Sequence, residues 1–279
     1  MRKITDEFIL SFKEYLTGEE KSENTIEKYI RDVTFFMVWL CGQEVTKILA
    51  LEYKKKLCER YAPASVNAAI SSLNSFFSHM EWHDIRIKAL KIQRQIFANR
   101  EKELTKAEYE RLLTVAKKNR DERLYYLMQT ICSTGIRVSE LCYITTSAVI
   151  AGQAVIKCKG KMRVVILPKQ LCKILRGYIR KNNIKNGSVF TSRNGNPLDR
   201  SHIWKMLKSL CETAGVSKDK VFPHNFRHLF ARTYYSLQKD IVRLADILGH
   251  SSVDTTRIYT IETGDVHRKQ IQRLGLLKC

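Results

Sequence analysis

Residues 154–168 read AVIKCKGKMRVVILP. Two β-rich runs, AVIKC and RVVILP, flank a short basic segment, KGKM, whose glycine suits a tight turn. The stretch predicts a β-hairpin with lysines at its tip. Most of what surrounds it carries helical periodicity instead, so the chain reads as mainly α with a small β-sheet.

Just upstream, LTKAEYERLLTVAKK (104–118) starts a helix, with Thr105 as N-cap and Glu108 in the capping-box position. A second helix over 121–134 stops at Gly135. Downstream, helices are expected over 169–183, 199–214, 224–237 and 240–248. The first hundred residues read as four more, over 4–17, 22–40, 46–60 and 63–80. The second of these carries a broad apolar face (Ile26, Tyr29, Ile30, Val33, Phe36, Met37, Leu40), and the fourth opens on Pro63, a favoured first helical residue. Between the two groups, IKALKIQRQIFANREKE (87–103) loses periodicity and gains charge. The expected organisation is a small helical domain over 1–91, a linker over 92–103 and a larger mixed α/β domain over 104–279.

The charge balance points to a polyanion. The net formal charge is +21, with 49 Lys and Arg against 28 Asp and Glu. It is uneven: residues 1–100 hold 16 basic and 13 acidic side chains, and residues 101–279 hold 33 and 15. From Leu141 to Leu198 there are eleven basic residues and no acidic one. Such a field attracts nucleic acid or an anionic membrane surface. No apolar stretch is long enough to span a bilayer, which needs about 20 residues, and no signal-peptide core follows the basic start. The eight cysteines lack C-x-x-C spacing and do not cluster with histidine, so a zinc site is not expected; they read as reduced thiols of a cytoplasmic protein.

Five stretches carry polar groups beyond what local structure requires. In STGIRVSEL (133–141), Arg137 and Glu140 are three residues apart, which alone reads as a surface ion pair. Lys159 sits at the hairpin tip among Lys157, Lys161 and Arg163. Neighbouring cations favour the loss of its proton, although the tip could equally just grip phosphate. In PHNFRHLFA (223–231), His224 and Arg227 share a helix face, while His228 is expected to point elsewhere. His224 alone could be a packing or capping residue. LGHSSVDTTRIYT (248–260) holds His250 and, nine residues on, Tyr259. A free phenol ionises near pH 10, so attack by a tyrosine at neutral pH needs a base or a cationic pocket.

The ordered set is more informative than its members. Arginine, hairpin lysine, His-x-x-Arg, Gly-His and tyrosine together supply what phosphoryl transfer to an oxygen nucleophile requires: cations for the non-bridging oxygens, an acid for the leaving oxygen and a base for the nucleophile. No P-loop or magnesium motif is present, and this chemistry needs no cofactor when side chains carry the charge. Tyr259 is then the expected nucleophile, in a loose segment.

TGIRVSEL, KGKMRVVILP, HNFRHLFA and LGHSSVDTTRIYT resemble, in order, the signature stretches of the tyrosine recombinases (the phage integrase family), and most resemble its short Xer-type members. SENTIEKYIRDVTFFMVWL (22–40) and SVNAAISSLNSFFSHM (65–80) resemble the family's N-terminal helical, SAM-like core-binding domain. The resemblance implies that Arg137, Lys159, His224, Arg227 and His250 surround a scissile DNA phosphate, that Tyr259 attacks it to give a 3′-phosphotyrosyl link, and that Glu140 supports the site. It implies double-stranded DNA with short inverted-repeat core sites as partner. It also implies a homotetramer on two sites (or a tetramer with a paralogous recombinase), each protomer clamping DNA between its domains, and a tail, HRKQIQRLGLLKC, that docks on a neighbour. Lys28, Arg31, Asn67, Ser71 and Asn74 of helices two and four are candidate groove contacts, with Lys161 and Arg163 as further DNA contacts.

Two features depart from the family pattern. Cys158 stands where glycine is usual, and the hairpin tip is about one residue shorter than in Xer relatives, which leaves Lys161 as the alternative to Lys159. An arm-binding domain is not expected, which argues against a large phage-type integrase. The alternatives are type IB topoisomerase-like relaxation, which uses the same chemistry but rejoins the original strand, and a DNA-binding regulator without catalysis. Integration, inversion and resolution, with or without a mobile element, stay open.

Overall fold

The structure is a computed structural model that describes residues 2–92, 100–158, 161–192, 194–259 and 272–273, the side chains of Arg100, Cys158 and Lys161 excepted. Lys159, most of the expected linker and nearly all of the C-terminal tail lie outside the described residues. The chain divides into two compact units, 1–94 and 95–279.

The first unit is a bundle of α1 (Asp6–Gly18), α2 (Glu23–Leu40), α3 (Lys47–Arg60) and α4 (Pro63–His79). The side chains of Thr5 and Thr46 cap α1 and α3, and Pro63 opens α4. The apolar faces meet in a core built on Phe12, Leu16, Val33, Phe36, Ile70, Phe76 and Phe77, all fully buried. Phe12 and Phe76 meet edge to face at 5.3 Å, the geometry that aromatic quadrupoles favour.

Two expected DNA contacts have a different job here. The Asn67 amide donates to the Leu90 carbonyl at 2.9 Å and accepts from the Leu90 N–H at 2.7 Å. Asn74 treats Ile87 the same way, at 2.7 and 2.8 Å. Seven residues apart on one face of α4, the two asparagines bind the backbone that leaves this unit. Each amide spends one N–H and one lone pair on that backbone. Lys28 is similarly tied, donating to Asp32 at 2.5 Å and to the Ala68 carbonyl and Ser72 on α4. Arg31 and Ser71 stand exposed.

The second unit contains α5 (Lys106–Lys118), α6 (Glu122–Thr134), α7 (Thr146–Ala151), β1 (Gln153–Cys158), β2 (Lys161–Ile166), α8 (Lys169–Lys181), α9 (Arg200–Ser209), α10 (Cys211–Ala214), α11 (Pro223–Gln238) and α12 (Ile241–Leu248). Thr105 and Glu108 close the expected capping box at the start of α5. Its core buries Leu124, Leu127, Met128 and Ile131 of α6 with Phe226 of α11. The strands pair antiparallel from Gln153↔Ile166 to Cys158↔Lys161. Lys161 and Met162 therefore belong to the ladder and not to the KGKM tip read from sequence. Ala154, Ile156 and Val165 face the core, while Val155, Val164 and Ile166 face out, the alternation a half-buried hairpin requires.

Gly135 ends α6 in the left-handed conformation, φ 64°. A Cβ there would meet the Phe230 ring at 2.5 Å, so glycine serves both the turn and the close approach of α11. Among the described residues no helix is long and apolar enough to cross a membrane.

Candidate active site

Four chain reversals bring the polar residues to one pocket. Gly135 turns the chain so that Arg137 leads into a 3₁₀ segment, Val138–Tyr143. Pro223 begins α11, placing His224 and Arg227 in its first turns. Gly249, φ 63°, ends α12 and delivers His250. A last 3₁₀ turn, Arg257–Tyr259, carries Tyr259.

Arg227 is the hub. It is 1% exposed, a buried charge that must be compensated by hydrogen bonds. It donates to the Gly135 carbonyl at 2.5 Å, the Leu248 carbonyl at 2.7 Å and His250 Nε2 at 3.0 Å. Burial, then repulsion from Arg137, lowers its pKa to about 10, so it remains a cation at neutral pH. A guanidinium only donates, so His250 Nε2 must accept and the ring proton sits on Nδ1. That proton goes to Thr256 Oγ1 at 2.8 Å. Thr256, fully buried, also accepts the Tyr259 N–H on its carbonyl at 3.0 Å. One threonine thus fixes the histidine tautomer and the tyrosine turn together.

Arg137 reaches the same loop, donating to the Gly249 carbonyl at 3.3 Å. Glu140 orients it, taking its side chain on Oε1 and its backbone N–H on Oε2, each at 2.9 Å. Burial works to raise the Glu140 pKa, but the hydrogen bonds from Arg163 and Arg137 prevail and hold it below the usual carboxylate range. Sequence alone made this a surface pair; its carboxylate is buried, while Arg137 stays partly exposed.

Tyr259 is 5% exposed and packs with Ala231, Leu244 and Leu248. The expectation of a loose tyrosine is therefore corrected: apolar burial holds its ring, which lies near-parallel to His250 with centroids 6.1 Å apart. His228 was expected to face elsewhere and does not. Its ring stands edge-on between Tyr259, at 4.9 Å, and His224, at 4.5 Å. The signal was available, because His228 is four residues from His224 and four-residue neighbours share a helix face.

All three histidines have lowered pKa values, first from burial. Arg227 and Arg137 follow for His224 and His250, and His224 follows for His228; His250 falls to about 4 and His228 to about 3. An unfolded histidine titrates near 6.5. As the pH falls below that value the unfolded chain takes up protons that the folded rings refuse, so stability is lost as pH falls. The melting temperature is expected to be level from about pH 7 to 8 and to decline from about pH 6.5 to 5, a window above the titration of the paired carboxylates. The slope should be shallower in His250→Gln. A level curve across that window in the native chain contradicts the lowered titration of these histidines.

The pocket combines fixed cations, neutral imidazoles and a tyrosine, a composition that can bind a phosphodiester and move protons around it. Residues 102–264 match the phage integrase family, and residues 9–83 match its N-terminal SAM-like domain. The chain belongs to the phage integrase family; it is a tyrosine recombinase, an enzyme of site-specific recombination. It is 31% identical over 284 residues to the tyrosine recombinase XerA of Thermococcus kodakarensis, spanning 98% of this chain and 97% of the relative. Identity to the tyrosine recombinase XerD of Halalkalibacterium halodurans is 27%, over 86% of this chain and 87% of that one. A crystal structure of XerA recombinase superposes with a TM-score of 0.53 at 29% identity, covering 99% of this chain and 100% of the other. A lambda integrase dimer bound to a core site shares the fold, with a TM-score of 0.75 at 17% identity over 93% and 96% of the two chains.

Proposed function

We propose that this chain cuts and rejoins double-stranded DNA at short inverted-repeat core sites through a covalent 3′-phosphotyrosyl intermediate. The reading rests on one observation: Arg137, His224, Arg227 and His250 converge on the pocket that holds Tyr259. The Tyr259 oxygen attacks phosphorus, the bond from phosphorus to the 5′ oxygen breaks, and the 3′ phosphate stays on the enzyme. Arg137 and Arg227 neutralise the non-bridging oxygens as charge builds. A neutral histidine of the pocket takes the phenolic proton, and Lys159 gives one to the leaving 5′ oxygen. The freed hydroxyl of a partner strand then attacks the phosphotyrosine, releasing Tyr259. One ester replaces another, so no external energy source is needed. The protein acts as a homotetramer on two sites in the cytoplasm, with the acid-free basic segment and exposed cations such as Arg31 against DNA.

The test is covalent selection. The chain is mixed with nicked duplexes of randomised half-sites, and DNA that stays attached under denaturing conditions is sequenced. An inverted-repeat core is the expected product, and recovery of no covalently held DNA contradicts the proposal. A plasmid with two copies of the recovered site should then rearrange. Relaxation of supercoils without rearrangement would instead favour the topoisomerase-like reading.

A further inference from the structure

Arg163 was expected to touch DNA. Its surroundings argue for another role. It lies on β2 opposite Ile156, two positions from the Cys158↔Lys161 pair that closes the described ladder. Its side chain is 16% exposed and points inward. Nη2 donates to Glu140 Oε2 at 2.5 Å, and Nη1 donates to the Ile247 carbonyl at 3.0 Å. Its stem fills the space beside Gly249: a Cβ on that glycine would stand 2.4 Å from Arg163 Cδ.

These contacts join three elements that are distant in sequence. Glu140 is the carboxylate that orients Arg137. Ile247 and Gly249 flank the Leu248 carbonyl that takes Arg227, and they immediately precede His250. The hairpin is the element that carries Lys159. A guanidinium can span such a set because its planar fork donates in two directions at once. The orientation also leaves little for DNA, since both terminal nitrogens are already committed to protein acceptors.

We infer that Arg163 is a positioning residue for strand cleavage: it locks the lysine-bearing hairpin to the Arg137–Glu140 pair and to the loop that presents His250, without itself contacting DNA. The inference rests on the reading of Arg137 and His250 as groups acting at the phosphate. The outward face of the hairpin at Val155, Val164 and Ile166 is apolar, and Lys157 points to the same side.

The experiment compares Arg163→Ala and Arg163→Lys with the native chain on the duplex recovered by covalent selection. Three quantities are read: the rate of covalent capture at saturating DNA, the DNA affinity, and the slope of log affinity against log salt. Loss of a positioning group is expected to slow saturated capture about 10²-fold, with affinity and salt slope unchanged. Lysine, unable to reach Glu140 and the Ile247 carbonyl together, should restore only part of the rate. Added guanidinium should accelerate Arg163→Ala and leave the native chain unaffected, a response that general destabilisation would not produce. A native saturated rate in Arg163→Ala overturns the inference. So does a salt slope reduced by about 1 with weakened affinity, the mark of a lost phosphate contact. Should Arg163→Ala fail to fold, Arg163→Lys decides on the same criteria. Failure of the underlying reading shows separately, as covalent capture that survives in Tyr259→Phe.

Discussion

Tyr259→Phe is expected to reduce covalent capture of a nicked duplex to background while leaving DNA affinity intact. The substitution removes one oxygen and keeps the ring that packs on Ala231, Leu244 and Leu248. The pocket should therefore stay folded, with a stability change of no more than about 1 kcal/mol. Catalysis has no such cushion, because no other hydroxyl takes the place of the missing nucleophile. Capture at an appreciable fraction of the native rate would remove Tyr259 from the mechanism.

Arg227→Ala is expected to combine two losses. Removing one preorganised cation from a phosphoryl-transfer site lowers the rate by about 10²–10³-fold. The same change strips donors from the Gly135 and Leu248 carbonyls and from His250. Each orphaned buried acceptor costs about 1–3 kcal/mol, partly offset because a desolvated charge has gone too. Rate and melting temperature should fall together. Arg227→Lys, which keeps the charge and loses the fork, should recover some stability and little of the rate. A fully active Arg227→Ala enzyme would contradict the role of the hub.

Most helices were legible because amphipathic periodicity and capping are local, whereas α7 was not among those expected. Every expected helix exists, most with ends within one or two residues, and the 199–214 segment is broken into two at Leu210. The site was legible as a set of residue types and spacings, yet their partners were not. Arg163 meets Glu140 and Ile247 across 23 and 84 residues, a separation that no local pattern encodes. The backbone partners of Asn67 and Asn74 were hidden for a chemical reason. A side-chain amide offers a donor and an acceptor that fit a backbone peptide as well as a base edge, and only the fold brings Leu90 and Ile87 beside them. Tyr259 lacks an apolar stripe in its own segment, so its burial depends on α11 and α12. Thr256 escaped notice for the same reason: its value lies in joining His250 to the Tyr259 turn.

The most direct measurement is the position of the covalent link. The native chain is trapped on a nicked duplex, digested with protease and nuclease, and the nucleotide-bearing peptide is sequenced by mass spectrometry. The expected adduct is a 3′-phosphate ester on the oxygen of Tyr259. An adduct on Tyr234 or Tyr235, which belong to the same cluster, or on any other residue, would contradict the account.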